Sequence, residues 1–153
     1  MIAGIDFYIP EDLTVDYFNS KNADNIDTTT DGTYLKSFTV YPDNMVTIPS
    51  GIKLSVPKDY AMIFFNKSGV ATKKRMEMLA CVVDEGYQGE IIITMVNVGY
   101  EPQTFFAGDK ITQGIFVPMT YFVPNEVKTE EECFTEKSSR GEGGFGSTDE
   151  KKH

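Results

Sequence analysis

Short stretches in which apolar and polar residues alternate run through most of the sequence, and they constrain the chain to a β fold. Near the start, Ile5 and Phe7 alternate with Gly4 and Asp6. Further runs rich in β-branched and aromatic residues lie at 38–41, 45–48, 52–56, 60–65, 90–96, 104–106 and 111–117. Proline, glycine, asparagine and aspartate separate these runs. Many short strands at this spacing predict an all-β sandwich or barrel.

One segment, residues 68–74, has the composition expected of a helix. Ser68 could cap its start, because a serine hydroxyl can accept from the first free N–H groups of a helix. Lys73 and Lys74 would lie favourably beside the carbonyl groups at its end. This is the only helix that the sequence predicts.

Two segments differ from the rest in composition. Residues 13–37 are polar and rich in turn-forming residues, which predicts a long surface excursion. Glycine is concentrated in the C-terminal segment, which starts near residue 138. We therefore expect one β domain over residues 1–137 with an insertion at 13–37, followed by a flexible arm over residues 138–153.

The acidic charge balance excludes broad classes of partner. Fourteen Lys and Arg against 23 Asp and Glu leave a net charge of −9, so non-specific binding to duplex phosphates is not expected. No apolar run approaches a membrane-spanning length, and the N-terminus lacks the pattern of a secretory signal. Cys81 and Cys133 are too few for a disulfide framework, so we expect a cytoplasmic protein. Any phosphate binding is expected in a small local pocket, with help from a metal ion.

The C-terminal segment permits two interpretations. Four of residues 141–146 are glycine, and such a terminus is often disordered. However, Arg140 precedes the glycines and Phe145 interrupts them. Arginine binds phosphate through two parallel hydrogen bonds, phenylalanine can stack on a base, and glycine lets backbone N–H groups approach an anion. The segment could therefore close over a bound nucleotide.

Two other segments carry side chains suited to a nucleotide. Lys67 and Ser68, at the start of the predicted helix, offer an ammonium group, a hydroxyl and free N–H groups to an anion. Asp84 follows two valines, where a carboxylate could hold and polarise a water, and Tyr87 could pack against a sugar. The apolar runs on both sides of 84–89 predict a β-hairpin. Taken alone, each feature is explained better as a helix cap or an acidic turn.

Two polar residues lie on predicted strands. Asp6 has apolar neighbours, where an unpaired carboxylate is costly, so it requires a partner. That partner could be a metal-bound water or a structural hydrogen bond. Gln113 follows a turn predicted at Gly108 and Asp109, and its amide could donate to a phosphate oxygen. The alternative for Gln113 is an exposed position on the strand.

Taken together, these segments resemble the five motifs of the trimeric dUTPase family (deoxyuridine 5′-triphosphate nucleotidohydrolases). The first four motifs correspond in order to residues 3–7, 67–71, 82–89 and 108–113. Residues 140–148, Arg-Gly-Glu-Gly-Gly-Phe-Gly-Ser-Thr, match the fifth motif almost residue for residue. Lys67 stands where the family usually has arginine, and a lysine keeps the charge but loses the planar fork.

The resemblance implies a β-barrel of the jelly-roll type that assembles as a homotrimer. Each of its three active sites would lie between subunits and use residues from all three chains. The implied reaction is the Mg²⁺-dependent attack of water on the α-phosphorus of dUTP, which yields dUMP and pyrophosphate. This reaction would keep uracil out of DNA and supply dUMP. Neither nucleic acid nor a membrane is an expected partner.

The resemblance also implies roles for individual residues around the nucleoside. Asp84 would orient and activate the attacking water, and Tyr87 would pack under the deoxyribose and exclude a ribose 2′-hydroxyl. Asp6 would reach the Mg²⁺ ion through water. The uracil edge would be read by backbone groups of Ala80, Cys81, Val82 and Val83.

The remaining implied roles concern the phosphates and the arm. In each subunit the phosphates would be bound by Lys67, Ser68, Gly69 and Gln113. The arm of another subunit would bring Arg140 to the terminal phosphates and lay Phe145 over the uracil. The phosphate contacts would be completed by Gly146, Ser147 and Thr148.

Two other functions remain open at this point. A dCTP deaminase, or a bifunctional deaminase and dUTPase, shares the fold but needs a second acid or base at the cytosine amino group. The third motif of this chain is of the dUTPase type. A regulatory protein on the same scaffold could use residues 13–37 to dock a partner.

Overall fold

The computed structural model describes residues 4–21 and 26–143. Within them it contains ten strands and three helices. The strands are β1 (Ile5–Tyr8), β2 (Ile26–Thr28), β3 (Leu35–Val40), β4 (Met45–Pro49), β5 (Tyr60–Asn66), β6 (Met76–Leu79), β7 (Val82–Val83), β8 (Ile92–Asn97), β9 (Gln103–Phe106) and β10 (Lys110–Pro118). The helices are α1 (Val15–Lys21), α2 (Ser68–Lys74) and α3 (Glu130–Cys133). The prediction of an all-β chain is confirmed.

The strands form three antiparallel sheets. One has four strands in the order β1-β10-β5-β7, and the other two have the orders β2-β3-β9 and β4-β8-β6. In the first sheet, β10 pairs with β1 on one side and with β5 on the other. This register places Asp6 opposite Gln113, and Gln113 opposite Phe65. Residues far apart in the sequence therefore meet on one face of the sheet.

Alternate residues of the strands fill a hydrophobic core. In β1, Phe7 is fully buried and packs edge-on against Phe64, with ring centroids 4.9 Å apart. Phe38 of β3 stacks on Phe105 of β9 at 5.6 Å. Burial of each such side chain contributes about 1.5–3 kcal/mol. The alternation in the sequence therefore decides which face of a strand points inward.

Most described residues of the segment 13–37 are exposed, as predicted, but the segment also has regular structure and core contacts that the sequence does not predict. It contains α1, β2 and the start of β3, and it buries Leu13, Phe18 and Leu35. The ring of Phe18 lies 5.1 Å from that of Phe38. These core contacts could not be predicted because three widely spaced apolar residues give no local periodicity. Packing against the core orders α1, as it does most short helices.

The helix predicted at 68–74 is confirmed, with the same bounds, as α2. Its N-cap is Lys67, whose backbone is extended, and Ser68 is the first helical residue. The prediction that Ser68 caps the helix was therefore wrong. The sequence also missed α1 and α3, and α3 begins where the Thr129 hydroxyl accepts from the N–H of Glu132 at 3.4 Å.

Two strand predictions were wrong. Residues 52–56, all within the described part of the chain, form no strand. The segment 84–89 is not a hairpin, because β7 pairs with β5 whereas β8 pairs with β4 and β6. The segment instead passes from one sheet to another. An apolar pattern gives the face of a strand but not the identity of its partner.

The chain divides after Thr120 into two compact units, residues 1–120 and 121–153. The first unit contains the ten described strands, and the second contains α3. The domain limits expected from the sequence, 1–137 and 138–153, remain a prediction. No helix within the described residues is long and apolar enough to cross a membrane.

Candidate active site

A cleft beside α2 collects residues of the predicted second and fourth motifs. It has a volume of about 440 Å³, and we call it the α2 cleft. It is lined by Asn66, Lys67, Ser68, Gly69, Val70, Lys110 and Gln113. The junction of β5 with α2 supplies the first five of these residues, and β10 supplies the other two. Four residues predicted to bind phosphate thus lie together.

Asp6 of β1 pairs with two lysines of this cleft. Its Oδ1 accepts from the Nζ of Lys67 at 2.5 Å, and its Oδ2 lies 3.0 Å from the Nζ of Lys110. The hydrogen bond from Lys67, followed by that from Lys110, holds the pKa of the Asp6 carboxyl below its usual value. In turn, Asp6 and then Tyr8 raise the pKa of Lys110. The prediction that Asp6 requires a partner is confirmed.

Lys110 is a candidate site residue that the sequence analysis missed. It lies three positions before Gln113, and a regular strand would direct two such side chains to opposite faces. A register shift between Phe7 and Tyr8 moves the partner of Tyr8 to Lys110. Lys110 can therefore share Asp6 with Lys67 while Gln113 lines the same cleft. This register shift is a β-bulge or a similar irregularity, and the spacing of Lys110 and Gln113 in the sequence does not indicate it.

Gln113 is positioned by the end of β5. Its Nε2 donates to the backbone oxygen of Asn66 at 3.4 Å. The neighbouring Thr112 is buried, and its hydroxyl donates to the backbone oxygen of Phe65 at 2.8 Å. The predicted location of Gln113 on a strand after a turn is confirmed. Its amide adds a neutral polar group to a cleft whose charged side chains are lysines.

Acid should weaken the link between β1 and the α2 cleft. Because the pKa of Asp6 is lowered in the folded state, its stabilising effect is complete above the usual carboxyl pKa, about 4. That effect is lost as the pH falls through the lower folded-state value. We expect Asp6→Asn to lower the melting temperature at neutral pH, and the difference from the unsubstituted protein to shrink towards about pH 2.

Thermal unfolding of both proteins between neutral and acid pH measures this effect. Asp12→Asn alters an exposed turn residue that lines neither cleft and serves as the control. A melting-temperature difference for Asp6→Asn that stays constant across the whole pH range would contradict the ion-pair interpretation.

A second cleft contains the predicted third motif. It has a volume of about 240 Å³, and we call it the Asp84 cleft. It is lined by Phe64, Ala80, Val82, Val83, Asp84, Tyr87, Ile91 and Ile92. Five residues that the sequence singles out are therefore together. Cys81 is half-buried and packs against the core, and its backbone oxygen accepts from the N–H of Phe64 at 2.8 Å.

The backbone around β7 gives this cleft its shape. Ala80 has φ 54°, a left-handed conformation that costs a residue with a Cβ about 1–2 kcal/mol. The turn at Ala80 leads into β7, which lies at the edge of the four-stranded sheet. An edge strand uses one side of its backbone for pairing, so the groups on the other side can bind a ligand.

Asp84 and Tyr87 belong to one turn after β7. The N–H of Tyr87 donates to the backbone oxygen of Asp84 at 3.3 Å, and Gly86 between them has φ 84°. Both side chains are exposed and line the same cleft. A carboxylate that can hold a water thus lies near an aromatic face.

The structure does not bring all the predicted site residues together. Among the described residues, the α2 cleft and the Asp84 cleft share no lining side chain. Arg140 belongs to the second unit, where its Nε donates to the backbone oxygen of Gly143 at 2.7 Å. Outside the described residues lie Phe145, Gly146, Ser147 and Thr148. Their predicted roles remain predictions.

No group of three His, Cys, Asp or Glu side chains suited to a metal ion occurs in residues 4–21 and 26–143. The carboxylate nearest the α2 cleft lysines, Asp6, already accepts from both of them. A metal held directly by Asp6 would have to displace an ammonium group. A contact through water would leave both ion pairs in place, which suits Mg²⁺ because this ion usually retains several waters.

Comparison with known proteins identifies the family of this chain. A sequence model of the dUTPase family matches residues 31–149. The chain is 33% identical over 119 residues to the deoxyuridine 5′-triphosphate nucleotidohydrolase of Desulfitobacterium hafniense strain DSM 10664 / DCB-2, and the match covers 74% of each chain.

Solved structures agree with this assignment at the level of the fold. A mutant dUTPase of Staphylococcus bacteriophage 80alpha with dUpNHpp gives a TM-score of 0.61 at 22% identity, covering 86% of this chain and 95% of that one. A mutant dUTPase from phage phi11 of S. aureus, which coordinates a structural Mg(II) ion, also gives 0.61, at 17% identity and with coverage of 85% and 86%. The predicted jelly-roll β-barrel is therefore confirmed. With its fold and sequence both matched, the chain belongs to the dUTPase family of dUTP diphosphatases.

Proposed function

We propose that the chain hydrolyses dUTP to dUMP and pyrophosphate by attack of a water molecule on the α-phosphorus. The observation that carries this mechanism is the Asp84 cleft, in which a carboxylate and an aromatic ring lie beside the edge strand β7. Asp84 orients the water and accepts its proton. A carboxylate is a weak base at neutral pH, so accurate placement of the water contributes more than its basicity.

The same cleft binds the nucleoside. Backbone groups from Ala80 to Val83 read the uracil edge, which is the kind of contact that an edge strand can offer. Exclusion of the thymine methyl group from this pocket would give the preference for uracil. Tyr87 packs under the deoxyribose, where a ribose 2′-hydroxyl would collide with its ring.

The α2 cleft binds the phosphates. Lys67 supplies a positive charge, Ser68 a hydroxyl and Gln113 an amide. Apart from its chain neighbours and the backbone of α2, no described atom lies within 4 Å of the position that a Cβ would take at Gly69, so a phosphate can approach its backbone closely. Lys110 adds a second ammonium group, and Asp6 keeps both lysines aimed at the cleft.

The active site is completed by assembly into a homotrimer. The separation of the two clefts, which share no lining residue among those described, supports a site that different subunits complete. Arg140 and Phe145 of a further subunit close over the nucleotide, with Gly146, Ser147 and Thr148 at the phosphates. Positioning and charge neutralisation then supply most of the barrier reduction.

Mg²⁺ is the proposed cofactor, and Asp6 would hold it through water. When bound, the ion neutralises charge on the phosphate oxygens. An acidic chain needs this help, because a net charge of −9 repels a triphosphate at long range. The two lysines of the α2 cleft neutralise the same phosphate charge at short range.

Pyrophosphate release from dUTP, dTTP, dCTP and UTP, with Mg²⁺ and with a chelator, tests the function. We expect dUTP to be preferred over each of the other three by at least about a hundredfold, and a chelator to abolish turnover. A parallel ammonia assay with dCTP tests the deaminase alternative. Similar rates for all four nucleotides, or ammonia release from dCTP, would contradict the proposal.

A further inference from the structure

Helix α1, in the segment 13–37, lies against the strand β4 and reaches the third motif. Phe18 anchors the helix, because its ring is fully buried against Phe38. The preceding residue, Tyr17, extends to Glu90, and its hydroxyl donates to Glu90 Oε2. This contact joins two residues that are 73 positions apart in the sequence. The segment therefore contacts the end of the turn that carries Asp84 and Tyr87.

Glu90 joins two sets of contacts. Its Oε1 accepts from the backbone N–H of Gly51 at 2.8 Å, while its Oε2 accepts from Tyr17. Its backbone oxygen accepts from the hydroxyl of Tyr87 at 2.8 Å. The side chain of Glu90 is thus held by α1 and the β4–β5 connection, and its backbone in turn holds the ring of Tyr87.

Tyr87 depends on this support because little else fixes its ring. The side chain is 45% exposed. The ring lies over Gly89, where an added Cβ would come within 2.3 Å of the Tyr87 hydroxyl. Glu90 precedes β8, which begins at Ile92, and its backbone oxygen lies in the peptide whose N–H, that of Ile91, donates to the backbone oxygen of Ile52 at 2.9 Å. Two hydrogen bonds to its carboxylate, from Tyr17 and Gly51, fix its side chain.

We propose that Tyr17 is a positioning residue for sugar selection, acting through Glu90 on the ring of Tyr87. The inference rests on the proposed role of Tyr87 against the deoxyribose. A hydrogen bond to a carboxylate is stronger than one between neutral groups, so loss of the Tyr17 hydroxyl loosens one of the two anchors of the Glu90 side chain. The pKa of Tyr17 is raised, chiefly by its hydrogen bond to Glu90, as expected for a phenol that donates to a carboxylate.

Tyr17→Phe tests the inference, because it removes the hydroxyl and keeps the ring. We expect the ratio of kcat/KM for dUTP to that for UTP to fall about three- to tenfold, the effect of a weakened polar contact. The KM for dUTP should rise while kcat stays within about twofold. The melting temperature should change by less than about 2 °C, because Phe18 still anchors α1.

The matched control is Tyr100→Phe, which removes a hydroxyl from a side chain that is 84% exposed and lines neither cleft. It should leave the ratio unchanged. Glu90→Gln should lower the ratio by itself, and adding Tyr17→Phe to it should lower the ratio by less than about twofold more, because both changes affect one contact.

Tyr87→Ala distinguishes a failure of the positioning role of Tyr17 from a failure of the proposed function. If it removes sugar discrimination but Tyr17→Phe does not, the positioning role is overturned and the proposed function stands. If Tyr87→Ala itself retains full discrimination, the role of Tyr87 is wrong and the positioning role is overturned with it. A fall in melting temperature with an unchanged ratio for Tyr17→Phe would make Tyr17 structural only.

Discussion

Asp84→Asn should lower kcat for dUTP by roughly a thousandfold, the middle of the range for loss of a general base. The substitution keeps the size of the side chain and its position after β7. It removes the charge that orients the water and the oxygen that accepts its proton. Because the nucleoside is proposed to bind through the backbone near β7 and through Tyr87, binding of dUTP should stay within about threefold of the unsubstituted protein.

Pyrophosphate release measures turnover, and calorimetry with a slowly hydrolysed imido analogue measures binding. Asp43→Asn is the matched control. Asp43 is exposed, lines neither cleft and has φ 62°, a conformation that asparagine tolerates well. Near-normal turnover in Asp84→Asn would contradict the assignment of Asp84. A parallel loss of analogue binding would indicate a role in binding rather than in activation of water.

Deleting residues 140–153 should abolish detectable turnover and leave the proposed trimer intact. The deletion removes Arg140 and Phe145, the proposed phosphate clamp and base cover, together with the small residues that follow. The ten described strands and their core all lie within residues 1–120, so the barrel should fold as before. Neutralisation of charge on the phosphates supplies most of the rate enhancement in such reactions. We therefore expect kcat to fall by more than about a thousandfold.

The control for this deletion is a shorter one that removes only residues 150–153, which lie beyond the fifth motif. That variant should retain turnover within about twofold, since it keeps every residue assigned to the nucleotide. Sedimentation velocity reports the oligomeric state of both. Full activity after the long deletion, or its dissociation into monomers, would contradict the proposed role of the arm.

Several elements could be predicted from the sequence because their signals are local. The run at 60–65 became β5, the run at 111–117 lies within β10, and the helix at 68–74 has its predicted bounds. Asp6 was expected to require a partner because an isolated carboxylate among apolar residues is costly. It pairs with Lys67, 61 residues away, and with Lys110.

Other features could not be predicted because they depend on contacts between distant parts of the chain. Phe18 carries no periodic signal, yet it orders α1 by packing on Phe38. The valines before Asp84 look like half of a hairpin but pair with Met62 and Ile63 of β5. Lys110 lies beside Asp6 where the pairing of β1 with β10 shifts register.

The sequence by itself determined the fold class, the family motifs and the chemical groups of the site, because the alternation of side chains and the identity of functional groups are local properties. The tertiary structure decided which of those groups share a cleft. It grouped Lys67, Ser68, Gly69 and Gln113 with Lys110, and it grouped Asp84 and Tyr87 with the edge strand β7. The physical reason is that strand partners and register follow from burial over the whole core, which no single segment encodes.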